Sequence, residues 1–293
     1  VDPRTLLDRF GRRPKLPADL ASALGDLDRL ARDRPELAGP ARGLARLLGA
    51  AFSPPDSAPL APPDDEAIAR GWSEGVPACR SDPPRLDDRA LIDRARSLAS
   101  AVGTDDPAAP ALSEAIRKRR IDLPALAREV FAGRPEEVAR SAESAGVSPV
   151  LTASLLRLAI LPSLARWSSA LDRIRPEGAW DRGDCPDCGS RLLLAESRGL
   201  EQRIAYRCGL CAADWPGERL RCPSCGESSP KRLRISFIEG EQERYRLAAC
   251  EACSDHWKVV ATLGPLSPPG LLVADLATFH LDVLAEGRDE PDG

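Results

Sequence analysis

Four Cys-x-x-Cys pairs, Cys185/Cys188, Cys208/Cys211, Cys222/Cys225 and Cys250/Cys253, take up eight of the nine cysteines in the 293-residue chain. Two thiolates at this spacing grip a metal ion from a tight turn, and a second such turn completes a tetrahedral site. Four turns predict two ions. The turns also repeat as a unit. Cys185-Pro-Asp-Cys188-Gly189 matches Cys222-Pro-Ser-Cys225-Gly226, and Trp215 and Trp257 each follow the next pair by four residues. Matching cysteines are 37 and 42 residues apart. Such self-similarity groups the ligands repeat by repeat: Cys185, Cys188, Cys208 and Cys211 as site 1, and Cys222, Cys225, Cys250 and Cys253 as site 2. A crossed pairing, first turn with third and second with fourth, stays open.

Each repeat contains a predicted hairpin that would bring its own turns together. Residues 191–195 and 202–207 flank a turn in the first. Residues 233–238 and 243–249 flank Glu239-Gly240-Glu241-Gln242 in the second. Gly189 and Gly226 suit the left-handed backbone that wraps a metal knuckle. This is the local architecture of a rubredoxin or zinc ribbon. Four structural disulfides would need an oxidising compartment. The N-terminal Val1-Asp-Pro-Arg-Thr-Leu-Leu-Asp-Arg carries no apolar stretch of the signal-peptide kind, so a cytoplasmic location is expected.

No other constellation carries chemistry. The two histidines, His256 and His280, read as a surface residue and a half-buried core residue. Cys79 reads as a small buried thiol, and the two tryptophans as covers over the metal turns. No nucleophile is paired with a base, so no catalytic residue is assigned and an enzyme is not expected. Residues 184–258 hold twelve basic and twelve acidic side chains, without the broad positive face that nucleic acid requires. No run is long and apolar enough for membrane insertion; the best, 151–167, is interrupted by Arg157, Pro162 and Arg166.

The elements that must position the cysteines follow from periodicity. Helices are predicted over 18–31, 36–52, 87–102, 112–119 and 123–132, with Asp122 capping the last. Ser148-Pro149 opens another, running to about Ile174 with a kink or break near Pro162. Residues 53–64 and 75–84 read as loops, 271–285 as a final helix and 286–293 as a frayed end. The fold class is α+β: a helical domain (1–176), two tandem rubredoxin-like modules (177–220 and 221–264), and a C-terminal helix with tail (265–293).

The order of a helical domain, CPDCGS, YRCGLCAADW, RCPSCGES, AACEACSDHWK and then VADLATFHLD resembles the formate dehydrogenase accessory protein family (FdhE). The resemblance is specific over about 184–284 and looser before. It implies a cytoplasmic assembly factor that binds the catalytic subunit of respiratory formate dehydrogenase before export, with the eight cysteines as ligands. A homodimer is compatible with it. Iron is preferred over zinc, because of the CPxCG turns and the anaerobic role implied. A rubredoxin-like electron carrier and a nucleic-acid-binding zinc ribbon are the alternatives.

Overall fold

A computed structural model describes residues 17–53, 64–103, 106–176 and 180–286. Residues 54–63 of the loop predicted over 53–64, residues 287–293 of the end predicted over 286–293 and the N-terminal residues 1–16 lie outside them.

The first half is helical, as its periodicity predicts. Helices α1 (Ala18–Asp33) and α2 (Ala38–Phe52) are joined by a 3₁₀ turn at Pro35–Leu37. They pack through Leu20, Leu27 and Leu48 in a small cluster that also takes in Val273. Two helices that the sequence reading left unassigned follow: α3 (Asp65–Ser73), capped by Asp64, and the short α4 (Ala78–Ser81) inside the expected 75–84 loop. Helix α5 (Asp88–Val102) starts at Asp87, whose side chain accepts from the amides of Arg89 and Ala90. Helices α6 (Ala109–Arg117), α7 (Leu123–Phe131, capped by Asp122) and α8 (Glu136–Ser144) complete a shell.

The shell surrounds α9 (Pro149–Leu171), the one helix among the described residues with the length and apolarity of a membrane span. Most of it is buried, through Leu155, Ile160, Leu164, Trp167 and Leu171, while Val150, Ser154, Arg157 and Arg166 are exposed, so its apolarity serves the core. Ser148 caps it, as expected. It does not break at Pro162. Pro162 leaves the Leu158 carbonyl without its amide donor, and buried Arg94 donates to the neighbouring Ala159 carbonyl at 2.7 Å.

The second half forms a single six-stranded sheet of order β3-β2-β1-β6-β5-β4. Strands β1 (Leu192–Arg198), β2 (Arg203–Cys208) and β3 (Asp214–Pro216) come from the first repeat. Strands β4 (Leu233–Ser236), β5 (Tyr245–Cys250) and β6 (His256–Thr262) come from the second. Neighbours within a repeat are antiparallel, and the repeats join through a parallel β1–β6 pairing, Ala195 opposite Val259 to Arg198 opposite Thr262. The repeats therefore follow one another head to tail, like strands 3-2-1 of one module and then 3-2-1 of the next.

The single helix predicted over 271–285 is two, α10 (Pro268–Ala277) and α11 (Phe279–Glu286). They part at Thr278, whose hydroxyl bonds the Ala274 carbonyl at 2.7 Å. Lys258 of β6, 3% exposed, holds both: its Nζ reaches Asp275 on α10 at 2.5 Å and Asp282 on α11 at 2.8 Å. One apolar cluster runs from Leu156 and Trp167 of α9 through the cysteines of site 1 to Trp215 and Trp257, so the helical half and the sheet share a core.

Candidate metal centres

Each pair of turns is brought together by its own hairpin. Leu192 lies opposite Cys208 on β1–β2, and Leu233 lies opposite Cys250 on β4–β5. The turns themselves are near copies. Gly189 and Gly226 donate to the carbonyls of Cys185 and Cys222 at 2.8 and 3.0 Å. The Cys185 and Cys222 amides close the loops on the carbonyls of Ser190 and Glu227, both at 2.8 Å. The residue after each turn is left-handed: Gly189 at φ 73°, Ala212 at 60°, Gly226 at 75° and Ser254 at 59°. Only two of these are glycine, so the knuckle geometry prevails over the usual cost of that backbone for Ala and Ser. The Cys208 sulfur accepts from the amides of Leu210 and Cys211 at 3.3 and 3.5 Å.

The eight sulfurs gather in two groups, Cys185/Cys188/Cys208/Cys211 and Cys222/Cys225/Cys250/Cys253, each within 4.8 Å and able to hold one ion. The grouping is repeat by repeat, not crossed. In site 1 the facing sulfurs are 3.5 Å (Cys185–Cys211) and 3.4 Å (Cys188–Cys208) apart; in site 2 they are 3.6 Å (Cys222–Cys253) and 3.7 Å (Cys225–Cys250). Tetrahedral bonds of about 2.3 Å would set neighbouring sulfurs about 3.8 Å apart, whereas a disulfide needs about 2.05 Å. All nine cysteines are unbridged. The spacing fits a shared ion.

The protonation chemistry agrees. Burial pushes the thiols of Cys185 and Cys211 well above their ordinary value. Cys208 also feels that burial, but hydrogen bonds from the other three sulfurs pull it well below. In site 2, burial raises Cys222 to about 12, while Cys225 is lowered, first by a backbone hydrogen bond at Glu227. Each group therefore favours one thiolate, and four charged sulfurs together require a cation among them.

The two sites differ in setting. All four sulfurs of site 1 are buried, whereas Cys225 and Cys253 of site 2 are exposed. The helical half closes over site 1. The amides of Ala78 and Cys79, at the start of α4, donate to the carbonyls of Pro186 and Asp187 at 2.8 and 2.7 Å. Asp187, inside the first turn, is 1% exposed. Its carboxylate receives Arg175 through Nη2 at 2.7 Å and Nε at 3.1 Å, and the Ser168 hydroxyl as well. Burial still pushes the Asp187 carboxyl up, against the pull of Arg175. The matching residue in site 2 is Ser224, which bonds Asp255 at the surface.

Two further arginines line the first site. The Arg80 guanidinium lies where a Cβ on Gly189 would meet it at 3.1 Å, and Arg157 lies 3.4 Å from the same point on Gly209. A divalent ion on four thiolates keeps two negative charges, which these guanidinium groups offset beside the two knuckles. Together with Arg191 they line a cleft of about 540 Å³ between the helical half and the first module. Asp187, Arg175, Arg80 and Lys258 were not singled out from the sequence. The only hint is that one CPxC turn carries an acid and the other a serine.

The remaining expectations are met in part. Trp215 and Trp257 are buried on β3 and β6, strands the sequence reading missed. Cys79 is fully buried, and burial pushes its thiol well above the ordinary value. His256 is exposed, while His280 is half-buried between Arg34, at 3.0 Å, and Glu241, at 2.8 Å.

Fold and site define a helical protein that closes over one of two tandem tetracysteine modules of a shared sheet. Its likeness is to FdhE. It is 31% identical over 140 residues to the FdhE homolog of Stutzerimonas stutzeri, covering 46% of this chain and 45% of the relative. It is 30% identical over 117 residues to FdhE of Escherichia coli O127:H6, covering 39% and 37%. The aligned stretch thus spans less than half of these relatives. The crystal structure of the FdhE protein from Pseudomonas aeruginosa superposes with a TM-score of 0.66 at 22% identity, over 94% of both chains. No family model matches the chain. It is thus similar to the FdhE proteins, in sequence over part of its length and in fold over nearly all of it.

Proposed function

We propose that this protein is an accessory factor for formate dehydrogenase that binds the catalytic subunit in the cytoplasm before export. Cys185, Cys188, Cys208 and Cys211 hold one ion, and Cys222, Cys225, Cys250 and Cys253 hold a second. Iron is preferred, with zinc as the alternative. Bound iron would supply a one-electron couple, while zinc would act only as a brace. The chain's own residues do the rest: Arg80, Arg157 and Arg175 offset the charge of site 1, and the cleft between the halves offers cationic and apolar surface to a client.

The observation that carries this reading is a fold like that of FdhE with both tetracysteine groups intact in it. A strain lacking the gene loses formate oxidation, and the tagged protein co-purifies with the catalytic subunit. Normal formate oxidation in the deletion strain would overturn the assignment. Anaerobic purification gives about two ions per chain, and a visible ferric-thiolate band identifies iron, since zinc absorbs nothing there.

A further inference from the structure

The head-to-tail order of the repeats leaves β4 as the last strand of the sheet, and β4 is the counterpart of β1. The pairings fix the correspondence. Ala195 lies opposite Tyr206, two residues before Cys208, and Ile235 lies opposite Ala248, two before Cys250. Ile235 and Ser236 therefore stand where Ala195 and Glu196 stand in the first repeat. Phe237 and Ile238 follow the end of β4, at the positions of Ser197 and Arg198 in the repeat but outside the β4–β5 ladder.

Those four positions of β1 are the ones that pair with β6. There Ala195, Glu196 and Ser197 are buried. On β4 no strand of the described residues follows, and three of the four residues are large and apolar: Ile235 is 54% exposed, Phe237 54% and Ile238 41%. An edge strand is ordinarily protected by charge or proline. Here Arg234 is the one charge on the strand, held by Glu251, and isoleucine on the strand and phenylalanine just past its end take the places that the sister strand uses for pairing.

We propose that the outer edge of β4 is a docking site for an extended apolar segment of another protein, which adds as a seventh strand parallel to β4. The pairing it makes is the one β6 makes with β1. Main-chain hydrogen bonds supply the affinity, while Ile235, Phe237 and Ile238 grip alternate side chains. A second copy of this chain is a poor occupant. Two β4 edges meeting about a two-fold would run antiparallel, unlike the parallel join of β6 to β1. The copy's other edge is β3, where Trp215 opposite Tyr206 corresponds to Trp257 opposite Ala248. Beyond Trp257, β6 continues through Val259–Thr262, the residues that pair with β1. At the same point β3 ends in Pro216 and Gly217, and Gly217 is packed against Ile204 and Tyr206. Such docking requires the protein to hold a partner chain, as proposed above, whatever that partner is.

The probe is a fluorescein-labelled peptide reproducing residues 256–262, the strand that completes the sister edge. With the metal-loaded full chain, its anisotropy rises to saturation, a scrambled peptide gives no rise, and amide exchange slows at Leu233–Ile238. F237K lies beyond the β4–β5 ladder and so leaves the sheet intact, and it weakens binding about tenfold or more. I235K, checked for unchanged metal content, does the same. Absence of saturable binding, or binding without protection of β4, would overturn the proposal. So would self-association of the chain that F237K abolishes, since the occupant would then be a second copy. Co-purification of formate dehydrogenase that persists in F237K, with no peptide binding, sinks the edge alone; loss of co-purification in the wild type leaves the peptide result to decide.

Discussion

At the residue scale, two sets of four cysteines with near-identical turns are given opposite surroundings by one neighbour each. Asp187 draws Arg175 and Ser168 onto the first CPxC turn, and Ser224 leaves the second open. Exposed Cys225 and Cys253 can be reached by a competing ligand, whereas all four sulfurs of site 1 are buried, with α4 hydrogen-bonded across the first turn. A chromogenic chelator should therefore withdraw the ions in two phases, site 2 first, and C225S or C253S should remove the faster phase and spare the slower. Equal release rates for both ions would contradict the geometry. The cysteines and their partition were readable because their spacing is local. Burial was not, because nothing within a turn says what packs on it.

At the scale of elements, caps and stripes located most helices of the first half. Asp87, Asp122 and Ser148 each cap where their side chains predict. Helices α3 and α8 escaped because they bury few residues, Ile68 and Gly71 in one and Val138 and Ala142 in the other, too few for an apolar stripe, and β3 and β6 escaped because Trp215 and Trp257 read as covers for metal rather than as strand residues. The pairing of β6 with β1 depends on residues more than sixty positions apart, and no turn announces it. Lys258 is the element-scale pin, since one buried ammonium ties the sheet to both C-terminal helices. K258M should leave both ions bound yet speed amide exchange throughout Pro268–Glu286. If exchange there is unchanged, the helices are held by apolar packing alone.

For the whole molecule, the clamp of Arg175 on Asp187 joins the helical half to the first module across a shared core. Removing one partner of a buried ion pair leaves the other uncompensated. R175L should therefore cost about 3–5 kcal/mol in chemical denaturation of the metal-loaded protein, and the double variant R175L/D187L should recover much of it. A double variant as unstable as R175L would show that the arginine acts through packing instead.

The sequence alone determined the composition of the two cysteine groups, the helical character of the first half and the likeness to FdhE, because these are written in short-range spacing. Only the tertiary structure decided which group is sealed and which is open, how the repeats join, and which strand is left without a neighbour. Those outcomes depend on contacts between segments far apart in the chain, and such contacts exist only once the chain has folded.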